Sequence, residues 1–211
     1  MLFVYMVFFS FAYITLSTGT GALILFGAVQ LTMFGVALCA GERFSGVSWV
    51  GFSIAFAGLI YLVAPGVTAP NPVGAMLMAS AGIAWGAYSL LGKDVADPLQ
   101  ATANNFMFCV PLVIAVSLIF HADYAATLNG VLLASASGGI ASGVGYAIWY
   151  TALKNLNATR AATVQLTVPA IAALGGVIFM SEDVTARLLA ASAATLGGVW
   201  IVLAQRAKSV A

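Results

Sequence analysis

Charge is what this chain has least of. Lys and Arg together number 7 and Asp and Glu 6 in 211 residues, and no charged side chain occurs before Glu42. A soluble domain carries about a quarter charged residues, so a water-exposed globule is excluded. The net charge of +1 and the lack of any basic cluster give no footing for nucleic acid. There is a single histidine, His121, and one His-x-Asp pair with Asp123 is too little for a metal centre. No phosphate-cradling glycine loop is present, which argues against direct nucleotide hydrolysis. Ile140-Ala141-Ser142-Gly143 faintly resembles an intramembrane serine protease site, but no histidine lies in a later apolar run. The two cysteines, Cys39 and Cys109, fall toward the ends of apolar runs and read as small packing residues. No cofactor is expected.

What the chain has instead is long apolar runs: Leu2–Ser17, Gly21–Ala40, Val47–Ala64, Val73–Leu91, Ala103–Phe120, Val131–Ala152, Ala161–Met180 and Arg187–Ala204. Most approach the ~20 residues that carry an α-helix across a hydrocarbon core of ~30 Å. The charges sit in the gaps between them. If the first run leaves the cytoplasm, Arg43, Lys93, Lys154, Arg160, Arg206 and Lys208 fall inside and only Arg187 outside. Such a bias in short loops sets orientation. Both termini are therefore expected in the cytoplasm. The sequon Asn157-Ala158-Thr159 then lies on the cytoplasmic side, away from glycosylation.

Sliding the chain against itself by 140 positions brings Ala12 onto Ala152, Leu16 onto Leu156, Gly35 onto Gly175, Glu42 onto Glu182, and Gly58 onto Gly198. Five runs separate Glu42 from Glu182, so the two acidic hinges fall on opposite sides of the membrane. That is an inverted-topology repeat. Residues 1–66 read as a partial first copy of three helices and residues 72–206 as a complete second copy of five. The first run is slightly short and starts without a basic segment, so it reads as the later part of a helix, in a chain lacking two upstream helices.

At several stretches the sequence resembles the drug/metabolite transporter superfamily, EamA type. They are Gly41-Glu42-Arg43-Phe44 with Trp49-Val50-Gly51, Ala84-Trp85-Gly86-Ala87-Tyr88, Trp149-Tyr150-Thr151-Ala152-Leu153-Lys154, and Ala158 through Val168-Pro169 to Ser181-Glu182. The resemblance implies a ten-helix fold of two inverted five-helix repeats that moves small metabolites, often outward. The expected fold is thus all-α and integral to the membrane, with eight transmembrane helices and a first repeat short of two. A plasma-membrane transporter of amino acids, related metabolites or drugs follows, working by alternating access. The competing expectation is a membrane fragment that transports nothing. The partners expected are a small-molecule substrate and the lipid bilayer, with a second copy of the chain (a homodimer) admissible.

Polar groups inside a span are costly and point to function. Gln30 and Gln165 stand in pseudo-equivalent helices, and each can hydrogen-bond a solute from an apolar wall. The plainer reading is interhelical glue, worth under ~2 kcal/mol. Trp85 and Tyr88 share a helix face, as do Ser142, Tyr146, Trp149 and Tyr150 at i, i+4, i+7, i+8 spacing. An interfacial aromatic belt is the alternative for Trp149 and Tyr150. Gln30, Trp85, Tyr88, Tyr146 and Gln165 form the expected substrate-binding set. Asn104 and Asn105 read as helix-entry hydrogen bonders. Glu42 and Glu182 read as anchors of tight turns, through backbone or Arg contacts, rather than as proton carriers. Gly82 with Gly86, and Ser135 with Gly139 and Gly143, space small residues every four and permit close helix approach. Pro111 and Pro169 are expected to kink their spans.

Overall fold

The computed structural model describes residues 1–41, 43–66, 69–92, 95–123, 126–153, 165 and 167–210, with no strand among them. The helices are α1 (Leu2–Ala12), α2 (Thr18–Cys39), α3 (Gly46–Val63), α4 (Pro72–Leu91), α5 (Pro98–Ile119), α6 (Leu128–Ser135), α7 (Gly145–Leu153), α8 (Thr167–Met180) and α9 (Ala186–Val210). A π-helical segment, Ala136–Val144, joins α6 to α7 as one rod. Six helical stretches among the described residues are long and apolar enough to cross a membrane. The exceptions are α1, with 11 residues, and α8, with 14. The apolar run expected to span from Leu2 to Ser17 bends after Ala12, where the Thr15 hydroxyl turns back to the Ala12 carbonyl at 3.3 Å.

Local chemistry fixes most helix starts. Ser45 accepts from the Ser48 N–H, Asn71 from Gly74, Asp97 from Gln100, Thr127 from Gly130 and Thr185 from Leu188. Each is a side-chain oxygen satisfying a first-turn donor that has no intrahelical partner. The Asp97 cap and Pro98 at the first helical position start α5 five residues ahead of its apolar run. Pro169 is the third residue of α8, and the residues just before this helix, Gln165 apart, lie outside the described ones.

By contacts the chain forms two units, Phe3–Leu91 with Ala158–Ala211, and Gly92–Asn157. In the first, α2 is central, with half of its apolar stretch buried. Its Leu23, Ile24 and Leu25 pack with Met78 and Ala81 of α4 and with Leu188 and Ala191 of α9. Glycine decides how closely these helices meet. A Cβ on Gly82 would lie 2.6 Å from the Leu25 carbonyl oxygen and 2.7 Å from the Ala28 Cβ. One on Gly86 would lie 3.1 Å from the Thr32 Cβ. The α3–α9 crossing is built the same way. A Cβ on Gly58 would lie 2.7 Å from Thr195 Oγ1, and one on Gly198 would lie 2.6 Å from the Ala55 nitrogen. Thr195 donates to the Ala55 carbonyl there at 3.4 Å.

In the second unit, α5 meets α7 through Thr102 and Tyr150, whose hydroxyls are 3.1 Å apart. Phe106 and Tyr146 add a ring pair with centroids at 5.9 Å. Little else is covered: none of the Leu128–Ala152 stretch is buried.

Candidate transport site

The five expected site residues fall into separate surroundings. Gln30, half-buried on α2, lines a shallow apolar cleft with Leu31 and Phe34 of its own helix, Phe52 and Ala55 of α3, and Val199 and Val202 of α9. Its amide is the polar group in a wall that otherwise offers methyls and rings. Neither Trp85 nor Tyr88 lines that cleft. Those two do lie together on α4, with ring centroids 5.6 Å apart. The i, i+3 spacing brings them onto one face, and the Ser89 hydroxyl returns to the Trp85 carbonyl at 2.8 Å. Tyr146, in the second unit, is flanked by Phe106 and by Tyr150 at 6.0 Å. Gln165 is helical and half-buried.

The structure adds partners that the sequence reading passed over. Tyr5 of α1 stands 4.8 Å from Trp85, Phe9 is 5.4 Å from Tyr5, and Tyr13 is 4.8 Å from Phe9. Tyr13, Phe9, Tyr5, Trp85 and Tyr88 thus make a continuous row of rings along two helices. Its signal was available: residues 5, 9 and 13 recur every four positions, one stripe of a helix. Rings in this row present π faces and three phenol hydroxyls, suited to planar solutes or to a cation held over a face.

Charge enters at one end of this unit. Glu182, just past α8, takes the Thr18 N–H on both carboxylate oxygens, at 2.7 and 2.9 Å, and the Thr18 hydroxyl at 2.8 Å. Ser17 precedes α2 without capping it, so the acceptor comes from 164 positions away. A carboxylate suits the partial positive charge of a helix N-terminus. Two backbone features deliver it. Ser181 adopts φ 53°, and the Glu182 N–H returns to the Gly176 carbonyl at 3.1 Å. A side chain on Gly176 would collide with the Glu182 carboxylate. Arg187, five residues on, donates to the Leu62 carbonyl at 3.4 Å and to the Ala64 carbonyl at the end of α3. Its guanidinium also lies 5.6 Å from the Tyr61 ring centroid. The cation meets the negative end of a helix and the anion a positive one. Glu182 thus holds the anchoring role expected of it, on another helix's backbone. Glu42 lies outside the described residues. Among the described residues no group of three His, Cys, Asp or Glu side chains could hold a metal ion.

Comparison with known proteins agrees with this membrane architecture. Residues 72–204 match the model of the EamA-like transporter family. An uncharacterized protein of Pseudomonas aeruginosa, PA1977, is 46% identical over 205 residues, covering 97% of this chain and 71% of the relative. An uncharacterized transporter of Archaeoglobus fulgidus is 28% identical over 211 residues, covering 96% of this chain and 74% of its own. No solved structure matches. With such a family the small-molecule substrate and the lipid surroundings follow, and an enzymatic role does not. The chain belongs to the EamA-like transporter family, in the drug/metabolite transporter superfamily, and is a multi-pass membrane transporter.

Proposed function

We propose that the chain exports small metabolites such as amino acids, or drugs, across the plasma membrane by alternating access between two inverted repeats, residues 1–66 and 72–206. One observation carries the reading. The contact of Gly58 with Thr195 and the contact of Gly198 with Ala55 become one another when each residue number is shifted by 140. Reciprocity of that kind is what a two-fold axis through the α3–α9 crossing produces, with symmetry-related helices meeting at their own images. The distribution of basic residues supports cytoplasmic termini. A second copy of the chain is a candidate partner.

Gln30, Trp85, Tyr88, Tyr146 and Gln165 are the residues proposed to line the substrate path, and Tyr5, Phe9 and Tyr13 extend it along α1. No charge stands among them, so the solute is held by amide hydrogen bonds and ring faces. Substrates with a planar group or a single charge fit better than polyphosphates.

The test is efflux from proteoliposomes that hold the purified chain, preloaded in turn with aromatic and aliphatic amino acids and with a cationic dye. Efflux of at least one solute, abolished by Gln165→Ala with membrane insertion intact, is the expected result. Well-inserted protein that moves none of them would instead favour a non-transporting bundle. Efflux untouched by Gln165→Ala would remove that residue from the path.

A further inference from the structure

Five helix starts, at α3, α4, α5, α6 and α9, are capped from within three residues, by Ser45, Asn71, Asp97, Thr127 and Thr185. Such caps travel with their helices and survive any rearrangement. The start of α2 is different, because its acceptor is Glu182. That bond breaks whenever the end of α2 parts from the turn between α8 and α9. The same turn holds the end of α3 through Arg187. Beneath Glu182 the two helices are in intimate contact: a Cβ on Gly19 would lie 2.9 Å from the Ala173 Cβ, and one on Gly176 would lie 3.2 Å from the Thr18 Cβ.

We infer that the α8–α9 turn is a latch, in which Glu182 and Arg187 hold α2 and α3 shut at one end of the transporter and release them when that end opens. The distribution of basic residues assigns this end to the outside, and the inference rests on the alternating-access reading above. Three physical features suit the turn to this work. Its grip on the two helix ends is by hydrogen bonds from a carboxylate and a guanidinium, groups that can be rehydrated on release, which makes a reversible contact at the water-facing end cheaper to open than a wholly apolar seam. The contacts use complementary charge, anion to helix start and cation to helix end, so the closed geometry is specific. The positive φ of Ser181 and the bare Gly176 aim the carboxylate at Thr18, an arrangement a merely connecting loop does not need. A cap serves one helix, whereas this five-residue turn, with Arg187 just inside α9, ties two helices of one repeat to two of the other.

The experiment reads opening directly. In a background of Cys39→Ala and Cys109→Ala, a reporter Ala173→Cys is placed at the α2–α8 seam of the full chain, purified into nanodiscs open to reagent on both sides. The rate of reaction with a small water-soluble maleimide follows the open fraction, and Glu182→Gln is expected to raise it about tenfold. Thr18→Val, which keeps every charge, should raise it about threefold and serves if Glu182→Gln does not assemble. Hydrogen exchange, with no reporter cysteine, should show faster exchange both at the start of α2 and along the facing part of α8. Faster exchange confined to the first turn of α2, with unchanged labelling, would mean a simple cap and would overturn the latch. Labelling does not depend on solute movement. A chain that transports nothing can still show the latch, and a chain that transports well can still lack it.

Discussion

On α4, Gly82 and Gly86 press against α2, so closely that a Cβ at Gly82 would overlap the Leu25 carbonyl. On the rod formed by α6, the π-helical segment and α7, Ser135, Gly139 and Gly143 repeat the same four-residue spacing. A Cβ at Gly139 would meet nothing within 4 Å, and one at Gly143 only the Gly138 carbonyl of its own helix, at 3.7 Å. The two stripes share a sequence pattern and differ in surroundings. Spacing small residues every four makes a close approach available; what stands opposite decides whether the approach is used. In the first stripe the glycines are a packing necessity. In the second they leave the helix free to widen, and its nine residues are nearly all Ala, Ser or Gly, with no bulky side chains to hold an α turn closed.

The largest effect separating the two should come from Gly82→Leu. A branched side chain there meets backbone on α2, which cannot swing aside as a side-chain tip can. We expect a loss of about 3 kcal/mol or more, seen as a collapse of the monodisperse peak in fluorescence-detected size exclusion after mild heating. The same substitution at Gly139 should leave the peak within a few degrees of the parent. Equal sensitivity at the two positions would break the comparison.

A middle effect is expected at the charged turn. Arg187→Gln keeps a donor but removes the charge facing the last carbonyls of α3 and the Tyr61 ring. Because the guanidinium is half-exposed, the loss should be about 1 kcal/mol, read as a small drop in melting temperature that shrinks at high salt. A salt-independent change would point to lost packing of the side-chain stem instead.

How much of this was legible in the sequence follows from how local each signal is. Six of the eight expected spans were, since hydrophobic run length answers to bilayer thickness. The seating of Gly82 and Gly86 was only half visible, because the pattern names the small face and not its partner. Trp85 beside Tyr88 followed from helical spacing, while their joining to Tyr5 needed the packing of α1. The role of Glu182 was foreseen as anchoring but not its target, since Thr18 lies 164 positions away and the link runs through a positive φ that no residue type at 181 announces. The early stop of α1 was hidden for a similar reason: Thr15 and Leu16 extend the apolar run, yet the hydroxyl of Thr15 bonds backward and the chain turns. Gln30 does stand in an apolar wall, and that wall is made by α2, α3 and α9 rather than by the ring row on α4, which no spacing within α2 could announce.

The smallest effect, and the sharpest use of the comparison, is Gly139→Ala. In an ordinary packed GxxxG the added methyl would be costly. Here it enters open space, and the unfolded chain loses some of the freedom that makes glycine unfavourable in helices, a gain of roughly 0.5–1 kcal/mol. The methyl also favours α over wider turns, so the π segment should shorten. We therefore expect a melting temperature equal to or slightly above the parent, with stronger helical circular dichroism per residue. A clear destabilisation would mean that some helix does press on this stripe, and the contrast between the two stripes would fall with it.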